Sequence, residues 1–163
     1  MIMILKFQNS DVYLELERKQ SRLWYTDTSA EYLCIFKFKN TLGIELLRII
    51  YNEFEIIDIL GMINNMIGFG TKFSALTLNP NNTSLNQYTL LISEEEDPSG
   101  ERFIYQTQII EVNPIYHTYI VRLYFPMQDY ELIDFYDALY QTFIKDLSED
   151  ISELYNPENG MWY

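Results

Sequence analysis

The sequence places short aliphatic and aromatic segments between brief polar connections. In the clearest of them Cys34, Phe36 and Phe38 alternate with Lys37 and Lys39, which is the two-residue period of a strand with one apolar face. Connections of about four residues favour antiparallel neighbours. The first part of the chain therefore predicts four strands, at residues 3–7, 12–17, 23–27 and 32–39.

A segment with helical periodicity follows these strands. Over residues 44–57 the apolar side chains recur on one side at the helical angle, and Thr41 is the predicted N-cap. Gly61 is a candidate kink, and the segment 62–67, which is apolar nearly all round, is expected to be buried. This helical region is predicted to end at Gly68 or Gly70.

The second part of the chain repeats this order. Strands are predicted at residues 72–78, 88–93, 102–112 and 119–125, and Pro126 is expected to end the last of them. Asp129 is the predicted cap of a long helix reaching about residue 155, with an apolar stripe that includes Leu132, Leu139 and Phe143.

These elements predict an α+β fold with antiparallel β-sheets and two main helices, in the order ββββα–ββββα, with a pseudo-repeat. The 163 residues fit a single compact domain, with halves at 1–70 and 71–155 and a tail at 156–163. The apolar tail residues Met161, Trp162 and Tyr163 either fold back on the core or enter an interface.

The motifs of common enzymes do not occur in the sequence. It has no Walker loop, no nucleophile elbow and no dinucleotide-binding glycine pattern. The single cysteine, Cys34, lies at a predicted core position, which argues against a catalytic pair with the single histidine, His117. We therefore predict a non-enzymatic protein without catalytic residues, cofactor or metal site.

Charge is distributed unevenly along the chain. Lys and Arg total 11 and Asp and Glu total 24, giving a net charge of −13. Residues 1–48 hold seven basic and six acidic residues, whereas residues 49–163 hold four basic and eighteen acidic ones. Such acidity argues against direct binding of nucleic acid and against docking on an anionic membrane.

Two acidic clusters are the candidate partner-binding residues. One is a predicted turn, and the other is the predicted outer face of the last helix, where like charges three or four residues apart repel each other. Either these clusters serve solubility, or they bind a protein with a basic surface. The residues are Glu94, Glu95, Glu96 and Asp97 in the turn, and Glu131, Asp134, Asp146, Glu149 and Glu153 on the helix.

The function predicted from this pattern is that of a cytoplasmic acidic protein that blocks a basic surface of another macromolecule. The candidate roles are phage anti-CRISPR or anti-restriction protein, DNA mimic, and immunity protein against a nuclease. The alternative is a self-associating structural or assembly protein of a phage or mobile element, since the 14 tyrosines are of a residue type enriched at protein interfaces.

Overall fold

The computed structural model describes residues 2–20, 32–70, 73–78, 87–96, 103–113, 115–145, 155–156 and 161–162. Two four-stranded units are each followed by a helix, which confirms the α+β class and the order ββββα–ββββα. The first unit comprises β1 (Ile2–Lys6), β2 (Val12–Gln20), β3 (Tyr32–Asn40), β4 (Glu45–Tyr51) and α1 (Glu53–Phe69). The second comprises β5 (Phe73–Leu78), β6 (Gln87–Glu96), β7 (Phe103–Asn113), β8 (Thr118–Gln128) and α2 (Asp129–Phe143).

Both sheets are antiparallel meanders. Sheet A has the strand order β1-β2-β3-β4 and sheet B has the order β5-β6-β7-β8, so β8 is an edge strand. In the tail, β9 (Tyr155–Asn156) pairs with β10 (Met161–Trp162). No helix among the described residues is long and apolar enough to cross a membrane.

The prediction of a helix over residues 44–57 is wrong for the first half of this segment, which forms strand β4. Leu47, Ile49 and Tyr51 are buried at every second position, because the apolar residues here also fit a two-residue period. The helix begins one residue after Asn52, so the predicted N-cap at Thr41 is also wrong. At its other end Gly70 adopts a left-handed backbone with φ 66°, as the predicted C-cap requires.

The second helix is shorter than predicted. It ends at Phe143 rather than near residue 155, and its N-cap is Gln128 instead of Asp129. Pro126 does not end strand β8, which continues to Gln128. An edge strand tolerates a residue that has no backbone N–H to donate. The predicted strand at 23–27 and the helical residues predicted at 146–154 lie outside the described residues.

One cluster of buried side chains joins elements of both sheets and both helices. Phe7 at the end of β1 stacks on Phe125 of β8 with ring centroids 4.7 Å apart, and Phe36 of β3 stacks on Phe143 of α2 at 5.7 Å. Cys34 is fully buried, as predicted, and burial raises the pKa of its thiol. The division of the chain into halves 1–70 and 71–155 stays a prediction.

The start of α1 carries a carboxyl group whose pKa is raised. Asn52 Oδ1 accepts from the Glu55 backbone N–H at 2.8 Å, and the Asn52 N–H donates to Glu55 Oε1 at 3.1 Å. Burial raises the pKa of Glu55 from 4.5 to about 7, with a smaller contribution from the charge of Asp58 and an opposing one from the Asn52 hydrogen bond. The fold thus holds this carboxyl in surroundings that favour its neutral form.

Replacing Glu55 by glutamine should therefore stabilise the protein at alkaline pH. The folded pKa lies above the ordinary value of 4.5, so the stabilisation by the protonated group is complete below that value and is lost as pH rises through about 7. Glutamine keeps the acceptor without the charge. Because the site is only half-buried, we expect a melting temperature about 2–4 °C above wild type at pH 8 and equal to it near pH 4.5.

Glu45→Gln is the matched control for this measurement. Arg48 donates to Glu45 at 2.8 Å and lowers its pKa, so this variant should gain nothing at pH 8. A pH-independent difference between Glu55→Gln and wild type would contradict the interpretation.

Candidate functional site

The acidic residues predicted to form a helical cluster do not share one exposed face. Asp134 is exposed, but Glu131 is only 4% exposed. Its Oε2 accepts from the Gln8 backbone N–H at 2.7 Å and its Oε1 accepts from the Gln128 N–H at 3.0 Å. Glu131 is thus a structural group that ties α2 to the β1–β2 turn, and its predicted outward orientation is wrong. Asp146, Glu149 and Glu153 lie outside the described residues.

The predicted acidic turn is also organised differently. Glu94, Glu95 and Glu96 belong to β6 and pair with β7, while Asp97 lies outside the described residues. Adjacent residues in a strand point to opposite faces, so Glu94 and Glu95 do not contribute to one surface. The role of these nine acidic residues in partner binding stays a prediction that the structure does not test.

The outer face of sheet A carries paired charges. Lys37 Nζ lies 2.9 Å from Glu17 and 3.6 Å from Glu15, and Lys39 Nζ lies 3.2 Å from Glu15. The Lys37 side chain is only 15% exposed, and its hydrogen bond to Glu17 raises the pKa of Lys37 and lowers that of Glu17. The centre of this face is therefore internally neutralised and offers little charge to a ligand.

A different surface runs along β8. Tyr116 in the β7–β8 turn and Tyr119 and Tyr124 in the strand are 76%, 70% and 53% exposed. We call these three residues the tyrosine strip. Exposed apolar and aromatic patches of this kind are typical of interaction surfaces, so the tyrosine strip is the candidate site.

The register of β8 explains why the tyrosines point outward. Leu123, Phe125 and Met127 fill the core at alternate positions. A bulge then shifts the register of β8 against β7: Ile109 pairs with Leu123, and the next residue, Ile110, pairs with Val121. Arg122 is the extra residue, and Tyr119 and Val121 continue on the same outer face as Tyr124.

The turn that carries Tyr116 is fixed by its own hydrogen bonds. Asn113 Oδ1 accepts from the backbone N–H groups of Ile115 at 3.0 Å and Tyr116 at 3.2 Å. His117 has a φ of 53°, a left-handed conformation that closes the turn. Cys34 lies in β3 of sheet A, whereas His117 lies in the turn between β7 and β8 of sheet B.

Polar groups flank the tyrosine strip. The Tyr124 hydroxyl donates to Gln106 Oε1, and the Gln106 side chain in turn donates to Glu95. Arg122 Nε lies 3.7 Å from Glu111. Among the described side chains on the outer face of β6, β7 and β8, Glu95 is the one acid, so the strip is a nearly neutral surface on a chain of net charge −13.

A metal site does not emerge from the described part of the chain. No group of three or more histidine, cysteine, aspartate or glutamate side chains there has the geometry to hold a metal ion.

No protein-family model and no curated protein sequence matches the chain. Solved structures that resemble it include the plant transcriptional regulator PBF-2, with a TM-score of 0.46 and 14% identity over 88% of this chain and 87% of that chain. They also include WHY3 from Arabidopsis thaliana, with a TM-score of 0.47 and 12% identity over 89% of each chain. The likeness lies in the layout of strands and helices.

The comparisons do not bear out the predicted function. The neighbour with a stated role is a transcriptional regulator, and nothing among the comparisons supports the predicted inhibitor that blocks a basic surface. The predicted roles of anti-CRISPR protein and DNA mimic, and the predicted exclusion of direct nucleic-acid contact, find no support in them either.

Proposed function

We propose that this chain is a non-enzymatic protein that binds single-stranded nucleic acid on the tyrosine strip. The observation that supports it is the exposure of Tyr116, Tyr119 and Tyr124 along one edge strand. Aromatic side chains presented in this way stack with unpaired bases, and each such contact contributes about 1–3 kcal/mol. The strip offers three of them on a surface nearly free of acids.

The polar groups around the strip suit bases better than a second apolar protein surface. Gln108 lies on the same outer face as Tyr124, and its amide both donates and accepts hydrogen bonds, whereas Gln106 is already bonded to Tyr124 and Glu95. Tyr119 and Tyr116 add hydroxyl groups that do the same. A ligand with alternating ring faces and polar edges satisfies both kinds of group, and unpaired bases have that character.

Charge decides which form of nucleic acid fits. Arg122 is the basic residue nearest in sequence to Tyr119 and Tyr124, and it is already close to Glu111. Duplexes present phosphates outward and keep their bases stacked, so they offer little to a tyrosine surface with so few cations. We expect binding to single strands through stacking, with a salt dependence of only about −1 in log K against log salt.

Fluorescence anisotropy with labelled single strands of about 15 nucleotides tests this proposal. Tyr119→Ala and Tyr124→Ala should each weaken binding by about 5- to 150-fold, the equivalent of one lost stacking contact. Tyr119→Phe should bind nearly as well as wild type, because phenylalanine keeps the ring and loses only the hydroxyl. The duplex of the same sequence should bind far more weakly.

Two results would contradict the proposal. One is wild-type affinity in both alanine variants while their melting temperatures remain normal. The other is a steep salt dependence that the alanine variants retain, since this would place the binding on cationic residues elsewhere. Binding of an extended peptide along the β8 edge, lost in the same variants without any nucleic-acid binding, would assign the strip to a protein partner instead.

A further inference from the structure

A cavity of about 380 Å³ lies at one end of sheet A, on the side where the β1–β2 and β3–β4 turns meet. This volume is within the range of small-ligand pockets, near its lower limit. Its lining combines an apolar wall with charges of both signs. The residues that matter are Ile4, Val12 and Tyr13 in the wall, and Lys6, Asp11 and Thr41 at the rim.

The rim of this cavity is held by hydrogen bonds that backbone N–H groups donate within its two turns. In the β1–β2 turn the Ser10 N–H donates to the Phe7 carbonyl at 3.3 Å, and Ser10 Oγ accepts from the Val12 N–H at 3.0 Å. In the β3–β4 turn Asn40 Oδ1 accepts from the N–H groups of Leu42 and Ile44, each at 3.0 Å. A pocket whose walls are already ordered loses little entropy on binding.

Tyr13 is an aromatic residue of the cavity lining. Its hydroxyl lies 3.9 Å from the point where a Cβ on Gly43 would stand, so the ring spans from β2 to the β3–β4 turn. Lys6 is its direct cross-strand partner on β1, and Asp11 precedes it by two residues. An ammonium, a carboxylate and an aromatic ring therefore line the same cavity.

Both charged groups are available to a ligand. Lys6 and Asp11 are exposed, and neither makes an ion pair or side-chain hydrogen bond with the residues that the structure describes. An ammonium attracts a phosphate, a carboxylate accepts from an exocyclic amino group, and a tyrosine ring stacks on a base. The cavity combines these three preferences.

We propose that this cavity binds a cytosine nucleotide, with its phosphate on Lys6, its base against Tyr13 and its amino group donating to Asp11. The carboxylate favours cytosine over uracil or thymine, which carry a carbonyl at that position. The cavity is lined by residues of β1, β2 and the turns of sheet A, none of which belongs to the tyrosine strip, so its test is independent of the proposed function.

Calorimetric titration of the protein with CMP, UMP and cytidine tests the three contacts separately. CMP and UMP differ at one position of the base, and we expect UMP to bind at least about tenfold more weakly, the effect of one charge-assisted hydrogen bond. Cytidine lacks the phosphate and should also bind more weakly. Asp11→Asn should abolish the preference for CMP over UMP, and Lys6→Gln should abolish the preference for CMP over cytidine.

Two tryptophan variants on the β3–β4 turn make a matched pair. Thr41 lines the cavity, whereas its neighbour Leu42 is exposed and does not belong to the lining. Thr41→Trp should therefore block CMP binding, and Leu42→Trp should leave it unchanged. Equal binding of CMP and UMP by the wild type, or unchanged CMP binding in Thr41→Trp, would overturn the proposal whatever happens with longer strands.

Discussion

Replacing Phe125 by alanine is expected to lower the free energy of unfolding by about 3–5 kcal/mol. The ring stacks on Phe7 at a centroid distance of 4.7 Å and lies 6.2 Å from Phe38, so it joins the edge strand of sheet B to sheet A. Its loss leaves a cavity between the sheets that the surrounding backbone cannot fill. Urea unfolding monitored by circular dichroism measures the effect, and Phe125→Leu should give a smaller loss of about 1–1.5 kcal/mol if the alanine variant does not fold.

Tyr124→Ala is the control on the same strand. Tyr124 points to the outer face and its hydrogen bond to Gln106 is exposed, so we expect a loss within about 1 kcal/mol. The two adjacent residues should separate stability from binding: Phe125→Ala destabilises the fold, and Tyr124→Ala weakens the binding of single strands. Similar losses of stability in both would show that β8 does not have the orientation described.

Glu131→Ala should cost about 2–4 kcal/mol, the second largest effect we expect. The carboxylate accepts from the backbone N–H groups of Gln8 and Gln128, and alanine leaves both donors without this partner in a partly buried site. The residue also places a negative charge in the first turn of α2, where the helix dipole favours it. Glu131→Gln keeps one acceptor oxygen and should lose less.

Asp134→Ala supplies the comparison. Asp134 lies three residues further along α2 and is exposed, so its removal should change the stability by no more than about 0.5 kcal/mol. Equal effects at positions 131 and 134 would mean that Glu131 is a surface group after all. Thermal and urea unfolding at one pH are sufficient to decide this.

The sequence pattern was sufficient for the class and order of the elements but not for every boundary. Residues 45–51 fit both the helical period and the two-residue period of a strand. Leu46, Ile49 and Ile50 form a helical stripe, and Leu47, Ile49 and Tyr51 form the apolar face of a strand. The deciding signal was present in Asn52 and Glu55, whose spacing is that of a capping box and marks the true start of α1. A pattern of apolar residues alone cannot choose between two periods over seven residues.

The candidate site was harder to predict, because it depends on exposure. Fourteen tyrosines mark an unusual composition, but only the register of β8 separates Tyr119 and Tyr124 from the buried Tyr51. The formal charge of the sequence was misleading as well, because it does not show which acidic side chains are exposed. Glu131 counts as one of the acids in the sequence, yet the fold uses it between two backbone donors, which no count of charges reveals.

The hydrogen bond between Gln8 and Glu131 spans 123 positions of the chain, and it has a consequence for biosynthesis. The four strands of sheet A leave the ribosome early, but α2, which contacts β1 and β2, is translated last among the main elements. Translation proceeds at about 5–20 residues per second, so roughly 6–25 s pass between the synthesis of β2 and that of α2. During this interval the apolar side chains of β1 and β2 are not yet packed against α2. The nascent chain therefore passes through a period in which Leu14 and Leu16 are accessible to chaperones or to other unfinished chains.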